Sequence, residues 1–570
     1  MGRAINIVIG GEAGQGLVTV GGLLSKALVR SGYFICVTQG YESRIRGGHN
    51  TFEVRVGADN VAAPHEKIDL LVALNKETVE LHQSELSPGA LTVVDAAHGA
   101  ACKSCFQIPY KELAAARSIN IAALGVTSCL LGIDEELVAQ IVSEAFGKKG
   151  AEVAEENRTA LTKSYEWTKA NNSRFEKLPP VPKREERLLM NGNDAVALGA
   201  LTAGVKFYSF YPMTPSTSIG LNLAAWAKKA GLVVEQAEDE IAAINMAIGA
   251  SFTGAPSMVA TSGGGFALMV EGVSLAGMTE TPIVIVLGQR PAPATGLPTR
   301  TEQSDLEFAL HSGHGEFPRA IFAPGNPEEC FALTHKAFHM AEKHQGPVFV
   351  LTDQFLADSY RAVAAFDFSK YPPVKAGASA EDVKTPYMRH LFTESGVSPR
   401  LLPGISRHLV ITDSDEHTED GHITENLSIR KLMVEKRLKK MNGIMNDAVT
   451  PEFTGDKNAD ILFVSWGSTK GSVHEAAFHL KAKGQNVATL HFSQVWPLVP
   501  SQFMPIIEGA KEVVCVEGNA FGQFARLIRR ETGFEIKKHI RRYDGLPITP
   551  EYILREIKYQ PQRHGGTEKK

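Results

Sequence analysis

Short apolar runs alternate with amphipathic segments along most of the chain. The apolar runs, typical of buried strands, are residues 5–10, 34–38, 51–56, 69–74, 91–95, 206–210, 257–261, 283–287, 347–352, 460–465, 487–491 and 512–516. Segments with apolar residues at helical spacing are 18–31, 76–86, 121–131, 134–147, 240–252, 427–441 and 471–483. Because strands and helices alternate, the pattern predicts an α/β fold with largely parallel sheets.

The length and the breaks in this pattern predict several domains. A chain of 570 residues is too long for a single hydrophobic core. A proline-rich and then charged stretch at 176–188 is typical of a linker. We therefore expect a first α/β domain over 1–185, a second over 189–360 and a third over 457–560. The polar stretch 361–456 lacks the alternation and is expected to be a connector or an insertion.

Composition narrows the class of protein. Hydrophobic residues make up 44% and charged residues 21% of the chain, which is typical of a soluble globular protein. The net charge of −4 gives no sign of a nucleic-acid partner, and no apolar run is long enough to span a membrane. The amino-terminal apolar run leads into glycines rather than a signal-peptide cleavage site, so we expect a cytoplasmic location.

The six cysteines contain one close pair, Cys102 and Cys105. A metal or cluster site needs a second pair or nearby histidines, and the sequence supplies neither. We expect reduced, unligated thiols, no metal site and no iron–sulfur cluster in this chain.

Two motifs in the first domain could bind an anion. In GGEAGQG, Gly14, Gln15 and Gly16 join a strand to a helix and leave backbone N–H groups exposed, although a plain turn explains the same residues. The glycine order is not that of a dinucleotide fingerprint.

The second motif of this domain is YESRIRGGHN. Its candidate residues are Ser43, Arg44 and Arg46, because arginine binds carboxylate or phosphate in a bidentate manner. A solvated turn is the alternative interpretation.

The middle third holds three further motifs. In YPMTPSTSI, Pro212 and a second proline hold Thr214 in a stiff loop after a strand, where a hydroxyl can bind a small ligand. Glu238 and Glu240 precede a helix rich in small residues, a position that the helix dipole also favours. In TSGGGF, Gly264 and its neighbours allow a backbone to approach a ligand closely.

Together these motifs resemble the 2-oxoacid:ferredoxin oxidoreductases. GGEAGQG, SRIRGG, YPMTP, EDEIAAINMAIGAS, TSGGGF, QRPAPATGLPT, EQSDL and GHGEFPR follow in that order. They are most similar to the alpha subunit of the 2-oxoglutarate type, with a gamma domain fused at its amino terminus. The resemblance implies a gamma-type domain, a pyrimidine-binding domain for thiamine diphosphate and a transketolase C-terminal-like domain.

The resemblance also implies a partner. Thiamine diphosphate would be shared with a beta subunit that holds its diphosphate through Mg²⁺ and carries a [4Fe–4S] cluster. The metal-binding GDG signature of such enzymes is absent from this sequence. Coenzyme A would be the cosubstrate, ferredoxin the electron acceptor, and an α₂β₂ heterotetramer the expected assembly.

The resemblance assigns roles to individual residues. Glu240 matches the glutamate that hydrogen-bonds the pyrimidine ring, with Glu238 as the alternative register. Thr214 and Arg290 match residues near the substrate carboxylate, and Arg300 is a candidate second cation for a dicarboxylic substrate. The glycine and arginine motifs of the first domain are associated with coenzyme A.

The expected reaction is a reversible oxidative decarboxylation of 2-oxoglutarate to its acyl-CoA. One alternative is the same reaction on pyruvate, branched-chain or indole 2-oxoacids. Others are an NAD-dependent dehydrogenase, which the missing fingerprint disfavours, and a non-catalytic scaffold.

Overall fold

The computed structural model describes residues 4–12, 14–42, 48–97, 105–147, 150–171, 175–181 and 185–559. The elements up to residue 190 are β1 (Ala4–Glu12), α1 (Leu17–Arg30), β2 (Phe34–Gly40), β3 (His49–Gly57), β4 (Ile68–Ala73), α2 (Lys76–His82), β5 (Leu86–Asp95), β6 (Phe106–Ile108), α3 (Tyr110–Leu113), α4 (Ile119–Leu131), α5 (Glu135–Phe146), α6 (Ala151–Asn171) and β7 (Arg187–Met190).

The middle of the chain continues the alternation of helices and strands. Its elements are α7 (Gly192–Ala203), β8 (Phe207–Phe210), α8 (Thr217–Ala230), β9 (Val233–Gln236), α9 (Glu240–Phe252), β10 (Ser257–Thr261), α10 (Gly263–Met278), β11 (Ile283–Gln289), α11 (Leu306–His311), β12 (Ala320–Phe322), α12 (Pro327–His344), β13 (Pro347–Asp353) and α13 (Gln354–Asp358).

The last third begins with a long irregular stretch and ends in a regular α/β fold. Its elements are β14 (Arg361–Ala364), α14 (Leu427–Asn446), β15 (Glu452–Thr454), β16 (Ile461–Trp466), α15 (Lys470–Ala482), β17 (Val487–Phe492), β18 (Gln494–Trp496), α16 (Met504–Gly509), β19 (Glu512–Glu517), α17 (Gln523–Thr532), β20 (Lys538–Arg541) and α18 (Pro550–Tyr559).

The chain divides into two compact units. The first unit is Met1–Gly192 with Asp358–Asp367, and the second is Asn193–Ala357 with Phe368–Lys570. An eight-stranded sheet of order β6-β5-β4-β1-β3-β2-β14-β7 forms the first unit. Strands β6, β5, β4 and β1 run parallel, whereas β3 is antiparallel to both of its neighbours. Helix α1 lies close on this sheet, because a β-carbon at Gly21 would overlap the ring of Phe52.

Two sheets form the second unit. The seven-stranded sheet has the order β18-β12-β13-β11-β10-β8-β9, and all of its pairs are parallel except β12 with β18. Strands β10, β11 and β13 are buried along their whole length, which explains why they are continuous apolar runs in the sequence. The five-stranded sheet has the order β15-β17-β16-β19-β20, and one hydrophobic core spans both sheets.

The predicted α/β fold with largely parallel sheets is confirmed. The prediction of a reduced thiol is wrong at Cys105, which is disulfide-bonded. Cys102 lies outside the described residues. Four other cysteines are free and buried: Cys36, Cys129, Cys330 and Cys515. Within the described part of the chain, no helix has both the length and the apolar composition needed to cross a bilayer.

Candidate functional site at the carboxyl edge of the seven-stranded sheet

Three neighbouring parallel strands of the second unit end at one edge of their sheet. Strand β10 lies between β8 and β11 and is parallel to both. Loop 211–216 follows β8, and Arg290 follows β11. Ser262 and the first turn of α10, Gly263–Gly265 (the glycine turn), follow β10. Open parallel sheets bind ligands beyond the carboxyl ends of their strands, so this edge is the place where the fold favours a site.

Glu240 is a buried carboxylate at this edge. It is the first residue of α9, and the preceding Asp239 caps the helix by accepting a 2.7 Å hydrogen bond from the backbone N–H of Ala242. The Glu240 side chain is only 3% exposed. Among the described residues, none hydrogen-bonds its Oε1 atom. A buried, unpartnered carboxylate oxygen is costly for a folded chain, which makes it a candidate ligand-binding atom.

The three-glycine turn lies against this carboxylate. A β-carbon at Gly265 would overlap the Glu240 carboxylate and the hydroxyl of Thr261. At Gly264, by contrast, a β-carbon would meet only the backbone oxygen of Ala294, at 3.8 Å, and the residue is exposed. The turn therefore needs glycine for packing at one position and leaves open space at the other. Ser262 adds a second buried side-chain oxygen without a partner among the described residues.

The loop after β8 is fixed by several polar contacts. The Thr214–Pro215 peptide bond is cis. The Ser216 hydroxyl donates to the carbonyl of Met213 at 2.8 Å, and the Asn193 amide donates to the carbonyl of Pro215 at 2.7 Å. Arg290 joins this loop to the end of β11, because its Nη1 donates to the carbonyl of Thr214 at 2.7 Å. Burial lowers the pKa of Arg290.

A second buried carboxyl group, Asp305, belongs to this edge. Its backbone N–H donates to the side-chain oxygen of Gln289, the last residue of β11, at 3.0 Å. A β-carbon built on Gly263 would lie 2.7 Å from Asp305 Oδ2, so the carboxyl group borders the glycine turn. This aspartate lies in the EQSDL motif, and no local pattern of the sequence predicts a role for it.

The structure brings most of the predicted residues of the second unit together. Thr214, Glu240, Gly264 and Arg290 all lie at the carboxyl edge, and Pro212 is exposed in the same loop. Glu238 is also exposed, two residues before the helix. Arg300 lies elsewhere, against the loop at Gly545, whose β-carbon would be 3.1 Å from that of Arg300. Glu240 is therefore buried and Glu238 exposed, so the two registers that the sequence left open differ in their surroundings.

The candidate anion motif of the first unit is described only in part. Gly14 and Gly16 have positive φ angles of 98° and 79°, a conformation that glycine adopts without strain. The Gln15 side chain accepts a 2.7 Å hydrogen bond from the backbone N–H of Glu12, so it stabilises its own turn. Ser43, Arg44 and Arg46 lie outside the described residues.

The arrangement at the carboxyl edge suits a flat heterocycle that enters beside an anionic substrate. The free oxygen of Glu240 can form one hydrogen bond with a ring nitrogen, and the glycine turn leaves room for a ring to approach the backbone. Arg290 can pair with a carboxylate. These residues fit the pyrimidine end of thiamine diphosphate.

Two protein-family models match parts of this chain. The family model described as "Pyruvate flavodoxin/ferredoxin oxidoreductase, thiamine diP-bdg" matches residues 198–436, which include the carboxyl edge. The model described as "Pyruvate ferredoxin/flavodoxin oxidoreductase" matches residues 6–167 of the first unit.

Individual relatives extend the similarity to almost the whole chain. The alpha subunit of a 2-oxoacid:ferredoxin oxidoreductase from Sulfolobus sp. is 33% identical over 95% of this chain and 94% of its own. A 2-oxoglutarate oxidoreductase subunit, KorA, of Mycobacterium tuberculosis is 29% identical over 98% and 92%. The solved 2-oxoglutarate:ferredoxin oxidoreductase of Magnetococcus marinus, with 2-oxoglutarate, coenzyme A and succinyl-CoA bound, superimposes with a TM-score of 0.91 at 34% identity, over 98% of this chain and 99% of that one.

Proposed function

Since the chain belongs to the family of 2-oxoacid:ferredoxin oxidoreductase alpha subunits, we propose that it is the alpha subunit of a 2-oxoglutarate:ferredoxin oxidoreductase. The reaction would convert 2-oxoglutarate, coenzyme A and two oxidised ferredoxins into succinyl-CoA, carbon dioxide, a proton and two reduced ferredoxins. The observation that carries the proposal is the buried Oε1 of Glu240, which lies beside the three-glycine turn and has no partner in the described part of the chain. The substrate proposal is supported by the relatives whose names specify 2-oxoglutarate.

Glu240 and the glycine turn would hold the pyrimidine ring. When bound, thiamine diphosphate supplies a nucleophilic carbon and an electron sink for decarboxylation. The Glu240 carboxyl would hydrogen-bond a ring nitrogen and so favour the tautomer that accepts a proton at the reacting end. Burial of Glu240 keeps water from competing for that hydrogen bond. Gly265 would let the ring and the carboxyl meet without an intervening side chain.

Arg290 and Thr214 would bind the substrate carboxylate. The guanidinium already donates one N–H to the carbonyl of Thr214, which fixes the orientation of its remaining donors. A planar guanidinium held in this way can pair with a carboxylate in a bidentate manner. The Thr214 hydroxyl, on the same loop, would add a neutral donor. Both residues would orient the 2-oxoacid before carbon dioxide leaves.

The remaining parts of the reaction would come from other places. We propose that a beta subunit supplies the Mg²⁺ site and the [4Fe–4S] cluster, that ferredoxin accepts the electrons, and that two copies of each subunit assemble in the cytoplasm. Gly14, Gln15 and Gly16, with Ser43, Arg44 and Arg46, would belong to the coenzyme A site of the first unit. The positive φ angles of Gly14 and Gly16, which expose backbone N–H groups before α1, are consistent with an anion there.

The proposal is tested by the activity of the purified complex of this chain with the subunit that copurifies with it. We expect coenzyme A-dependent reduction of ferredoxin with 2-oxoglutarate, and a kcat/KM for 2-oxoglutarate above those for pyruvate, branched-chain and indole 2-oxoacids. A higher kcat/KM for another 2-oxoacid would contradict the substrate proposal and keep the reaction class. Iron bound to this chain alone would contradict the proposed division of the cofactors between two subunits.

A further inference from the structure

Asp305 occupies a helix-capping position without capping the helix. It directly precedes α11, but its side chain makes no cap hydrogen bond. Asp239 and Asn326, in the same position before α9 and α12, accept hydrogen bonds of 2.7 and 2.8 Å from backbone N–H groups. An aspartate in this position normally stabilises its helix, so the side chain of Asp305 is directed to something else.

The Asp305 carboxyl is instead buried against the candidate site. The residue is 7% exposed, and its Oδ2 has no hydrogen-bond partner among the described residues. This oxygen borders Gly263 at the start of the glycine turn. The backbone of Asp305 is held by the Gln289 side chain, whose own amide donates to the carbonyl of Thr352 at 3.0 Å. Asp305 is thus fixed to Gln289, which ends β11 and directly precedes Arg290.

Two charged groups act on this carboxyl group. Burial raises the pKa of Asp305 to about 6, the neighbouring carboxylate of Glu302 adds to the rise, and the Arg290 guanidinium opposes it. The glycine turn that packs on Asp305 contains a serine and three glycines, and therefore no charge. Gln289, which holds its backbone, is also uncharged. Arg290 is the one cation among the described residues that stabilises the ionised form.

We propose that Asp305 is a positioning residue that serves as a protonatable counter-charge to Arg290 and takes up a proton when a 2-oxoacid carboxylate binds there. This inference rests on the proposed function of Arg290. In the free site the ionised Asp305 neutralises part of the Arg290 charge. A substrate carboxylate on Arg290 adds a like charge near Asp305 and removes part of its stabilisation, which raises its pKa. The proton comes from the solvent, and no bond of the substrate changes in this step.

The sign of the pH dependence follows from the proton count. The complex binds more protons than the free enzyme in the window between the pKa of free Asp305, about 6, and its higher value in the complex. Affinity for the carboxylate therefore falls as pH rises through this window and is level below it. The loss is about tenfold for each pKa unit by which the ligand raises Asp305.

Calorimetry on the assembled complex tests the inference without turnover. The ligand is N-oxalylglycine, which keeps both carboxylates and the 2-oxo carbonyl of 2-oxoglutarate. Titrations at neutral pH in buffers of different ionisation enthalpy give the number of protons bound with the ligand. We expect net uptake by the wild type and none by Asp305→Asn. The variant should bind the ligand more tightly than the wild type above the window, because its neutral amide never competes for Arg290.

Glu302→Gln is the matched control, since Glu302 is the other carboxyl group whose burial raises its pKa in this segment. This variant should keep the proton uptake, but at a lower pH, because Glu302 no longer raises the pKa of Asp305. Undiminished uptake in Asp305→Asn, or loss of uptake in Glu302→Gln at every pH from mildly acidic to neutral, would overturn the inference. Asp305→Ser provides the same measurement if the asparagine variant fails to assemble. A purely structural role of Asp305 would change affinity without changing the proton count.

A wild type that turns over no 2-oxoacid contradicts the proposed function, whereas normal turnover without Asp305-linked uptake contradicts this inference alone.

Discussion

Two buried glutamates of the second unit have opposite surroundings. Glu240, at the carboxyl edge, leaves one oxygen without a partner among the described residues. Glu280, just after α10, is fully buried and surrounded by cations. Lys436 donates to Glu280 Oε1 at 2.7 Å, Lys440 forms an ion pair with Oε2, and His390 Nδ1 lies 3.2 Å from Oε1.

The Glu280 cluster joins distant parts of the chain. Burial disfavours the charge of Glu280, but Lys440 and Lys436 outweigh it, so the pKa of Glu280 lies well below its usual range. Both lysines belong to α14, and His390 belongs to the irregular stretch before it. Arg389 donates to the carbonyl of Glu280 at 2.8 Å. The carboxylate therefore fastens this stretch and α14 to the region between α10 and β11.

The difference is between a carboxylate whose charge is balanced within the chain and one whose Oε1 has no partner among the described residues. A buried charge stabilises a fold only when its partners are present in the folded chain, as at Glu280. At Glu240 one buried oxygen lacks a hydrogen-bond partner among the described residues, which is destabilising. Such an atom is expected where a bound ligand supplies the missing hydrogen bond. The comparison predicts that substitutions at the two positions have opposite consequences for activity and stability.

The largest expected effect is on the activity of Glu240→Gln. The amide keeps the shape of the side chain but cannot accept or hold the proton as a carboxyl does. We expect kcat of the assembled complex to fall by roughly 10²- to 10⁴-fold, the usual contribution of acid–base assistance. The free energy of unfolding should change much less than in Glu280→Gln, because Oε1 of Glu240 has no hydrogen-bond partner to lose among the described residues. Ferredoxin reduction and thermal unfolding measure the two quantities.

Glu238→Gln is the control for this variant, because Glu238 is exposed two residues earlier. It should leave both kcat and stability near the wild-type values. A loss of activity in Glu238→Gln together with an active Glu240→Gln would move the functional carboxylate to the other register.

The next largest effect is on the stability of Glu280→Gln. The amide leaves Lys436 and Lys440 buried without a counter-charge, which typically costs about 3–5 kcal/mol. We expect a lower unfolding midpoint and faster hydrogen exchange in the helix Leu427–Asn446, while kcat per folded complex stays near the wild-type value. An unfolding midpoint shifted no more than in Glu238→Gln would show that the cluster does not support the fold.

The sequence predicts the sheets better than it predicts these two environments. Strands such as β10 and β11 are continuous apolar runs because both faces are buried, so local composition is enough to find them. The Glu280 cluster depends on residues as far apart as Glu280 and Lys436, which are separated by 156 positions. Its polar residues have no periodicity, and their pairing exists only after the chain has folded.

The candidate site was also predictable only in part, because some of its contacts join residues that are distant in sequence. The motif order predicted residues that the structure brings to the carboxyl edge. The choice of Glu240 over Glu238 stays a prediction, to which the structure adds that Glu240 begins α9 behind the Asp239 cap. Asp305 was missed because no local pattern of the sequence predicts that its side chain is buried. Its burial against Gly263 depends on the packing of two loops that are distant in sequence.

The smallest expected effect is a pH dependence of local stability at Lys440. Burial lowers the pKa of Lys440 to about 7 in the folded chain, with Glu280 opposing and Lys436 and Arg389 adding to the shift. Above this pH the folded chain has lost a proton that the unfolded chain keeps up to about pH 10.4. Raising the pH across this window therefore stabilises the folded state, by at most about 1.4 kcal/mol per pH unit.

Hydrogen exchange of Leu427–Asn446, corrected for intrinsic pH dependence, should slow from neutral to alkaline pH in the wild type. The slowing should be weaker in Lys440→Met, whose Lys436 still titrates with a lowered pKa. Equal slowing in both proteins would mean that Lys440 stays charged against Glu280 throughout, and that the buried cluster is fully ionic at neutral pH.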